Sequence, residues 1–464
     1  MNSGGLIEAE VAERVLTRAL THGGDFAEVF AERTQGMTMA IDESRVESVQ
    51  AGSGEGAGVR VVSGGTTYFA HVDGLDPVEL ERAASEAAAA LRSGRIAPRG
   101  LEAVVATTPH PIERPPDDVP VRDKASLLHQ LDERGRAVGA EIAQFTASYA
   151  EVRREVTVAN SDGLFTSDDR TRVRIGAQAV ARRGSSVETG AETLGGHRGF
   201  ELLGEDPGEI AASAARKALV LLDAGPAPAG SMPVVVGGGF GGVLFHEMTG
   251  HGLEADHVQK GASVYAGRLG DRLAQSLLTA YDDGRMPNEW GSDAIDDEGT
   301  PTQKTMLIEE GRLVSFLYDR LTARRDGAEP TGNGRRESFR HLPVPRMTNT
   351  YIAPGDVDPE AMIADVDRGF YAASFGGGQV DPATGDFVFG VSEGYLIEGG
   401  KVSRPCRGAT LIGNCVEALA AIDAVGDDFE MKTGVCGKAG QKVPVGTGQG
   451  HVRIRAMTVG GTEV

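Results

Sequence analysis

The stretch Phe240-Gly-Gly-Val-Leu-Phe-His246-Glu247-Met-Thr-Gly-His251-Gly-Leu-Glu254-Ala-Asp256-His257 gathers metal-binding and proton-transferring side chains into eighteen positions. Its centre, His246-Glu247-x-x-x-His251, sets two imidazoles near a carboxylate that directly follows the first. Zinc hydrolases use such a set: the imidazoles hold the metal, and the carboxylate takes a proton from water and passes it to the leaving amine. The spacing is one residue longer than in the common H-E-x-x-H pattern. On a regular α-helix, residues five apart point about 140° away from each other, too far to share one ion. A single π-turn brings them back to a common face, and such turns gather at functional sites. The spacing therefore predicts a locally underwound helix, with Gly250 and Gly252 free to accept the distortion. Two ordinary hydrogen-bonded helix histidines are the simpler alternative, and the glycine-rich approach from a short strand argues against it.

Two nitrogens leave a catalytic zinc site one ligand short, since such sites take three protein ligands and a water. The candidates are His257, Glu254, Asp256, Cys406, Cys415 and Cys436. Cys436 lies in Gly434-Val-Cys-Gly437, which reads as an open loop, whereas Cys406 follows Pro405 and Cys415 follows Asn414. A single cysteine is more often a small buried hydrophobe than a ligand, and spacing does not choose among the six.

The elements that position this stretch follow from periodicity and turn residues. Leu6 to Leu20 has helical spacing and stops at Gly23-Gly24. Alternating strands are expected around Ala27–Ala31, Met37–Ile41, Gly58–Val62 and Thr66–Val72. Asp76-Pro77 caps a helix running to about Gly94. The prolines between 98 and 120 demand an extended connection, followed by a helix from Val121 to about Ile142. Strands Tyr149–Ala159 and Arg170–Ala181 flank the turn Asn160-Ser-Asp-Gly163, and Asp206-Pro207 opens a helix to about Asp223. The stretch 224–233, almost all small residues and proline, reads as a linker. Beyond it strands dominate, including hairpins at Leu307–Val314 and Leu396–Val402, with helices only near 240–255, 359–367 and 414–422. The pattern predicts an α+β protein of two domains: a mixed sheet-and-helix domain over 1–225 and a β-rich domain carrying the metal-site helix over 226–464.

Composition narrows the function. With 46 Lys and Arg against 67 Asp and Glu, the formal net charge of -21 disfavours nucleic acid, so a DNA-topology modulator meets no basic patch. The acidic surplus reads as solvated surface, with a bias toward basic peptides. Three cysteines cannot form a disulfide framework and point to a reducing compartment. No secretory signal opens the chain and no run of 18 apolar residues occurs, so a cytoplasmic protein with no membrane span is expected. Phe375-Gly-Gly-Gly-Gln379 lacks the ending of a phosphate-binding loop and reads as a wall along which an extended peptide pairs by strand addition, with a plain tight turn as the alternative. His341 and Tyr351 are candidates for polarising a substrate carbonyl, and His257 for a place behind the ligands.

The block Gly241 to Asp256 resembles the signature of the TldD/PmbA family of metalloproteases, in its TldD branch. The likeness continues through Ala294–Gly299, Asn349–Tyr351, Phe375–Asp381, Arg407–Gly413, Val435–Gln441 and Thr458–Thr462. The resemblance implies a zinc peptidase whose metal is held by His246, His251 and Cys436, with Glu247 as general base. It implies a TldE/PmbA-like partner subunit, or a second copy of the chain, and unfolded peptides or small proteins as substrate, in leader-peptide trimming or degradation. Thiolate ligation leaves water less acidic than an all-histidine site would, so more of the deprotonation falls on Glu247. The alternative is a non-catalytic, chaperone-like subunit whose zinc is structural; the intact Glu247 speaks against it.

Overall fold

The computed structural model describes residues 5–461 except 92, 93, 95, 108, 109 and 205, so the opening Met1–Gly4, Pro109 and Thr462 lie outside the described residues. The protein is α+β. In the first half, strands at Thr66–Asp73, Arg45–Ser63, Phe26–Asp42, Ile142–Asn160 and Leu164–Arg183 pair antiparallel in that order. Along the far edge of Leu164–Arg183 run Ser186–Gly196, antiparallel, and the short Glu102–Val105, parallel. These strands are far longer than their alternating segments suggested. Met37 to Ile41, for example, simply continues the Phe26–Asp42 strand. Helices Ala9–Ala19 and Pro77–Ala88 bury alanines, valines and leucines against one part of this sheet, and Val121–Arg136 and Gly208–Leu222 against another. The Asp76 carboxylate accepts from the Val78 and Glu79 amides, with Pro77 at the first helical position, as the sequence predicts. The helix from Val121 ends at Arg136, and Ile142 already belongs to the next strand.

The stretch 224–233 is not a free linker. It forms the strands Gly225–Pro226 and Gly230–Val236, both paired within the second half. There, Gly230–Val236 pairs with Arg368–Val380 on one side and Val452–Gly460 on the other. Val452–Gly460 pairs with Thr410–Asn414, that strand with Asp386–Glu398, and Asp386–Glu398 returns to Arg368–Val380, closing a ring. A separate six-stranded sheet runs Arg312–Leu313, Lys304–Glu309, Ala280–Asp283, Asn349–Ile352, Gln441–Gln449 and, at its edge, Glu430–Lys438. Both expected hairpins are present, turning between Glu309 and Arg312 and between Glu398 and Lys401. The metal-site segment leaves the end of Gly230–Val236 and packs between the closed sheet and the six-stranded one. Its close approach to the latter depends on Gly242, where a Cβ would stand 2.5 Å from the Gly448 nitrogen.

Candidate metal centre

After an α-turn at Gly242–Phe245, residues His246–Gly250 form a π-turn and His251–Leu253 a 3-10 turn. The underwinding required by the five-residue spacing is therefore present. The Tyr265 hydroxyl supports it by donating to the Met248 carbonyl (3.1 Å). Gly250 serves close packing rather than unusual backbone geometry: its φ is -56°, and a Cβ there would meet Met347 Sδ at 1.9 Å.

Ligand atoms of His246, His251 and Cys436 all lie within 4.8 Å of one another, and all three residues are buried. His251 Nε2 and Cys436 Sγ are 3.3 Å apart, and the two imidazole rings stand nearly perpendicular, at 85°. His246 Nδ1 is buried with no hydrogen-bond partner. A tetrahedral zinc with such ligands would space its donors about 3.3–3.6 Å apart, a spacing that His251 Nε2 and Cys436 Sγ already meet at 3.3 Å within a cluster no wider than 4.8 Å. Two imidazoles, one of them with a buried nitrogen that has no protein partner, and a thiol fit a metal ion.

Burial opposes ionisation of the Cys436 thiol, but His246 and His251 beside it hold it well below its ordinary value. Burial likewise disfavours His251 cation, yet Glu254 and Cys436 raise its pKa well above normal. A site in which thiolate and imidazolium sustain each other is one in which a cation can replace the proton. Glu247 adjoins them, with Oε2 3.7 Å from His251 Nε2 and its side chain partly exposed.

Of the six candidates for the third ligand, only Cys436 joins the cluster. It sits inside the Glu430–Lys438 strand, not in an open loop; the Cys436–Val443 pairing continues through Gly437. Arg346, wholly buried, donates to the Cys436 carbonyl (2.6 Å) and fixes the strand there. Cys406 lies in Lys401–Arg407, and Cys415 begins a helix, where burial pushes its thiol up to about 12. Glu254 stands behind the histidine, accepting from His251 Nδ1 (3.0 Å), and Asp256 faces Lys438 (2.5 Å). Sequence reasoning assigned no task to Lys438, although a lysine in the block 435–441 opposite Glu254 and Asp256 in the block 241–256 was a usable signal.

The cluster opens into a cleft of about 540 Å³ lined by Glu247, His251, Gly378, Gln379, Val435 and Lys438, among others. His257 also reaches it. One wall is the Arg368–Val380 strand. The Phe375–Gln379 stretch is part of this strand, not a tight turn. It pairs with Gly230–Val236 only through Phe370–Ala372, so among the described residues no strand covers that edge of Gly376–Val380. The opposite wall is the edge strand Glu430–Lys438. His341 and Tyr351 do not line the cleft: His341 is bonded to Ser338 (2.9 Å), and Tyr351 packs its ring against Tyr281 and Phe429. A larger cavity, about 880 Å³ between Gln35–Met37 and the 110–124 segment, contains none of the clustered donors.

Fold and donor cluster together define a metallopeptidase-like architecture, and comparison with known proteins makes the class specific. Three family models match in order: PmbA/TldA metallopeptidase domain 1 at 27–91, the central domain at 114–222 and the C-terminal domain at 229–461. The chain belongs to the PmbA/TldD family of metallopeptidases. A metalloprotease TldD homolog of Haemophilus influenzae is 40% identical over 94% of this chain and 93% of its own. A Methanothermobacter thermautotrophicus metalloprotease is 35% identical, covering 94% of this chain and 96% of its own. TldE of Thermococcus kodakarensis shares the fold, with a TM-score of 0.78 and 20% identity over 97% of this chain and 99% of that one. So does a candidate DNA-gyrase modulator of Thermotoga maritima, with a TM-score of 0.80 and 22% identity over the same shares. Among the described residues no helix is long and apolar enough to cross a membrane.

Proposed function

We propose that the chain is a zinc-dependent peptidase acting on unfolded peptides or small proteins, with His246, His251 and Cys436 as metal ligands and Glu247 as general base. The observation that carries this reading is the convergence of three buried electron-pair donors, one of them a thiol, on a cleft that also receives the Glu247 carboxylate. Two imidazoles and a thiolate are a set zinc favours, and zinc bound there would supply Lewis acidity toward a peptide carbonyl. Glu247 takes the proton of the attacking water on a carboxylate oxygen and delivers it to the leaving nitrogen. The uncovered edges of Gly376–Val380 and Glu430–Lys438 hold the substrate backbone by strand addition, which admits extended chain of varied sequence and excludes folded domains. A structural zinc would take a fourth protein ligand; among the described residues the cluster has three.

In the same reading residues 226–464 form the catalytic domain and 1–225 a separate N-terminal domain. The chain is the catalytic subunit of a cytoplasmic complex with a TldE/PmbA-like subunit or a second copy of itself. The fold shared with TldE supports pairing of two like chains. The test is Glu247→Gln. It is expected to keep one zinc per chain and to lose cleavage of an unfolded peptide by about 10²–10⁴-fold. Undiminished turnover would remove Glu247 from the chemistry.

A further inference from the structure

Lys438 stands two residues beyond Cys436 on the same strand, so the two side chains leave on one face. That face meets the segment carrying the histidines. Lys438 Nζ lies 3.0 Å from Glu254 Oε2, 2.5 Å from Asp256 Oδ1 and 2.9 Å from the Pro345 carbonyl. Its side chain is only 6% exposed, and Glu254 is fully buried. The same Glu254 oxygen receives His251 Nδ1.

We propose that Lys438 is a positioning residue, clamping the Cys436 strand onto the His246–Asp256 segment through Glu254 and Asp256 and thereby setting the donor geometry of the metal centre. The inference rests on the metallopeptidase reading above. An ammonium has three hydrogens and no acceptor. Lys438 donates to Asp256 Oδ1 and the Pro345 carbonyl and forms an ion pair with Glu254 Oε2, so its ammonium is committed to holding these segments together. A carboxylate only accepts, which obliges His251 Nδ1 to carry the hydrogen and leaves Nε2, facing Cys436 Sγ, as the donor atom. Without the ammonium, the buried Glu254 Oε2 would keep only His251 Nδ1 as a hydrogen-bond partner among the described residues, and the carboxylate would rotate or swing away. Either response frees the His251 ring, while the strand bearing the third ligand loses its ties to the other two.

The test uses the full-length protein loaded with cobalt, without substrate. Affinity is read by chelator competition and geometry by the visible and thiolate-to-cobalt absorption bands. Lys438→Met is expected to bind cobalt about 10- to 100-fold more weakly, the range typical of lost outer-shell partners, with altered bands. Lys438→Arg, which keeps the charge, is expected to recover part of the loss. Glu254→Gln, nearly isosteric, is expected to weaken binding likewise, and it decides the matter should Lys438→Met not fold. Wild-type affinity and spectrum in Lys438→Met, or in Glu254→Gln where Lys438→Met does not fold, would overturn the clamp. A wild-type protein that takes up no cobalt would instead overturn the metal reading on which the clamp depends.

Discussion

Two buried polar regions of this molecule differ in how their charges are answered. The first is the seam between the seven-stranded sheet and the segments at 293–298 and 334–336. Arg60 contacts Glu28 (2.9 Å) and Glu298 (2.5 Å), and Arg336 also reaches Glu28. Arg170 contacts Asp168 (3.0 Å) and Asp297 (2.7 Å), and Arg172 contacts Asp293 (2.7 Å). Cations and anions there alternate and pair, although Arg60 Nε and Arg336 Nε and Nη1 are buried with no hydrogen-bond partner. At the candidate metal centre two imidazoles and a thiol converge, and the cations beside them, Lys438 and Arg346, are engaged by Glu254, Asp256, the Pro345 carbonyl and the Cys436 carbonyl. Paired opposite charges hold structure together, whereas converging donors whose neighbouring cations are engaged elsewhere suit a site for a cation.

The sharpest way to break this comparison is to remove a seam cation. Arg60→Met leaves Glu28 and Glu298 buried with one guanidinium fewer. Breaking a buried pair in this way costs about 3–5 kcal/mol. Denaturant unfolding should show that loss, while zinc content per folded chain stays at the wild-type value. A fall in metal stoichiometry at unchanged fold would mean that the two regions are not independent.

The juxtaposition of His246 and His251 is legible in the sequence because its constraints are local. The five-residue spacing of His246 and His251 forced a π-turn on simple helix geometry, and the π-turn is there. Cys436 was not legible from spacing alone, since 185 residues separate it from His251 and only strand pairing brings it back. Its setting was misread for a related reason: flanking glycines suggest a loop, but on an edge strand glycine also serves wherever another backbone or ligand must come near. The seam was missed. Asp293, Asp296, Asp297 and Glu298 counted toward an acidic surface, yet all four are buried. Arg170, Arg172 and Arg60, which pair with Asp297, Asp293 and Glu298, stand on strands more than a hundred residues away, and composition carries no information about such pairings. Strand lengths were underestimated because the alternation fades where both faces are covered, as in Val156–Asn160.

A smaller effect is expected at Gly250, where the comparison can be sharpened from the metal side. Gly250→Ala places a methyl group against buried Met347 Sδ, and such overpacking costs about 1–3 kcal/mol. Because Gly250 closes the π-turn, metal affinity should fall along with stability, unlike in Arg60→Met. Met347→Ala added to Gly250→Ala opens the space again and should restore part of the metal affinity. Failure of the double variant to regain any would show that the glycine is required for backbone reasons instead.

The smallest expected effect is a pH dependence confined to the seam, measured on metal-free protein so that ligand protonation does not intrude. Burial alone would raise the Asp297 pKa, but the guanidiniums of Arg154 and Arg170 hold it down at about 2. The folded value thus lies below that of the unfolded chain. Between about pH 4 and pH 2 the unfolded state binds the proton first, so the Asp297 contribution is complete above that window and disappears as pH falls through it. The contribution is at most about 2 kcal/mol. Asp297→Asn should therefore be less stable than wild type at pH 6, with the difference narrowing toward pH 2. Glu298, a residue further on, should behave in the opposite sense, since burial pushes its pKa up to about 7 despite Arg60. Its folded value exceeds its unfolded one, so its contribution to stability declines as pH rises from about 4.5 to 7. Titrating Asp297→Asn and Glu298→Gln side by side separates these opposed slopes. Parallel slopes would mean that the seam does not pair its charges residue by residue, and the contrast with the metal centre would lose its basis.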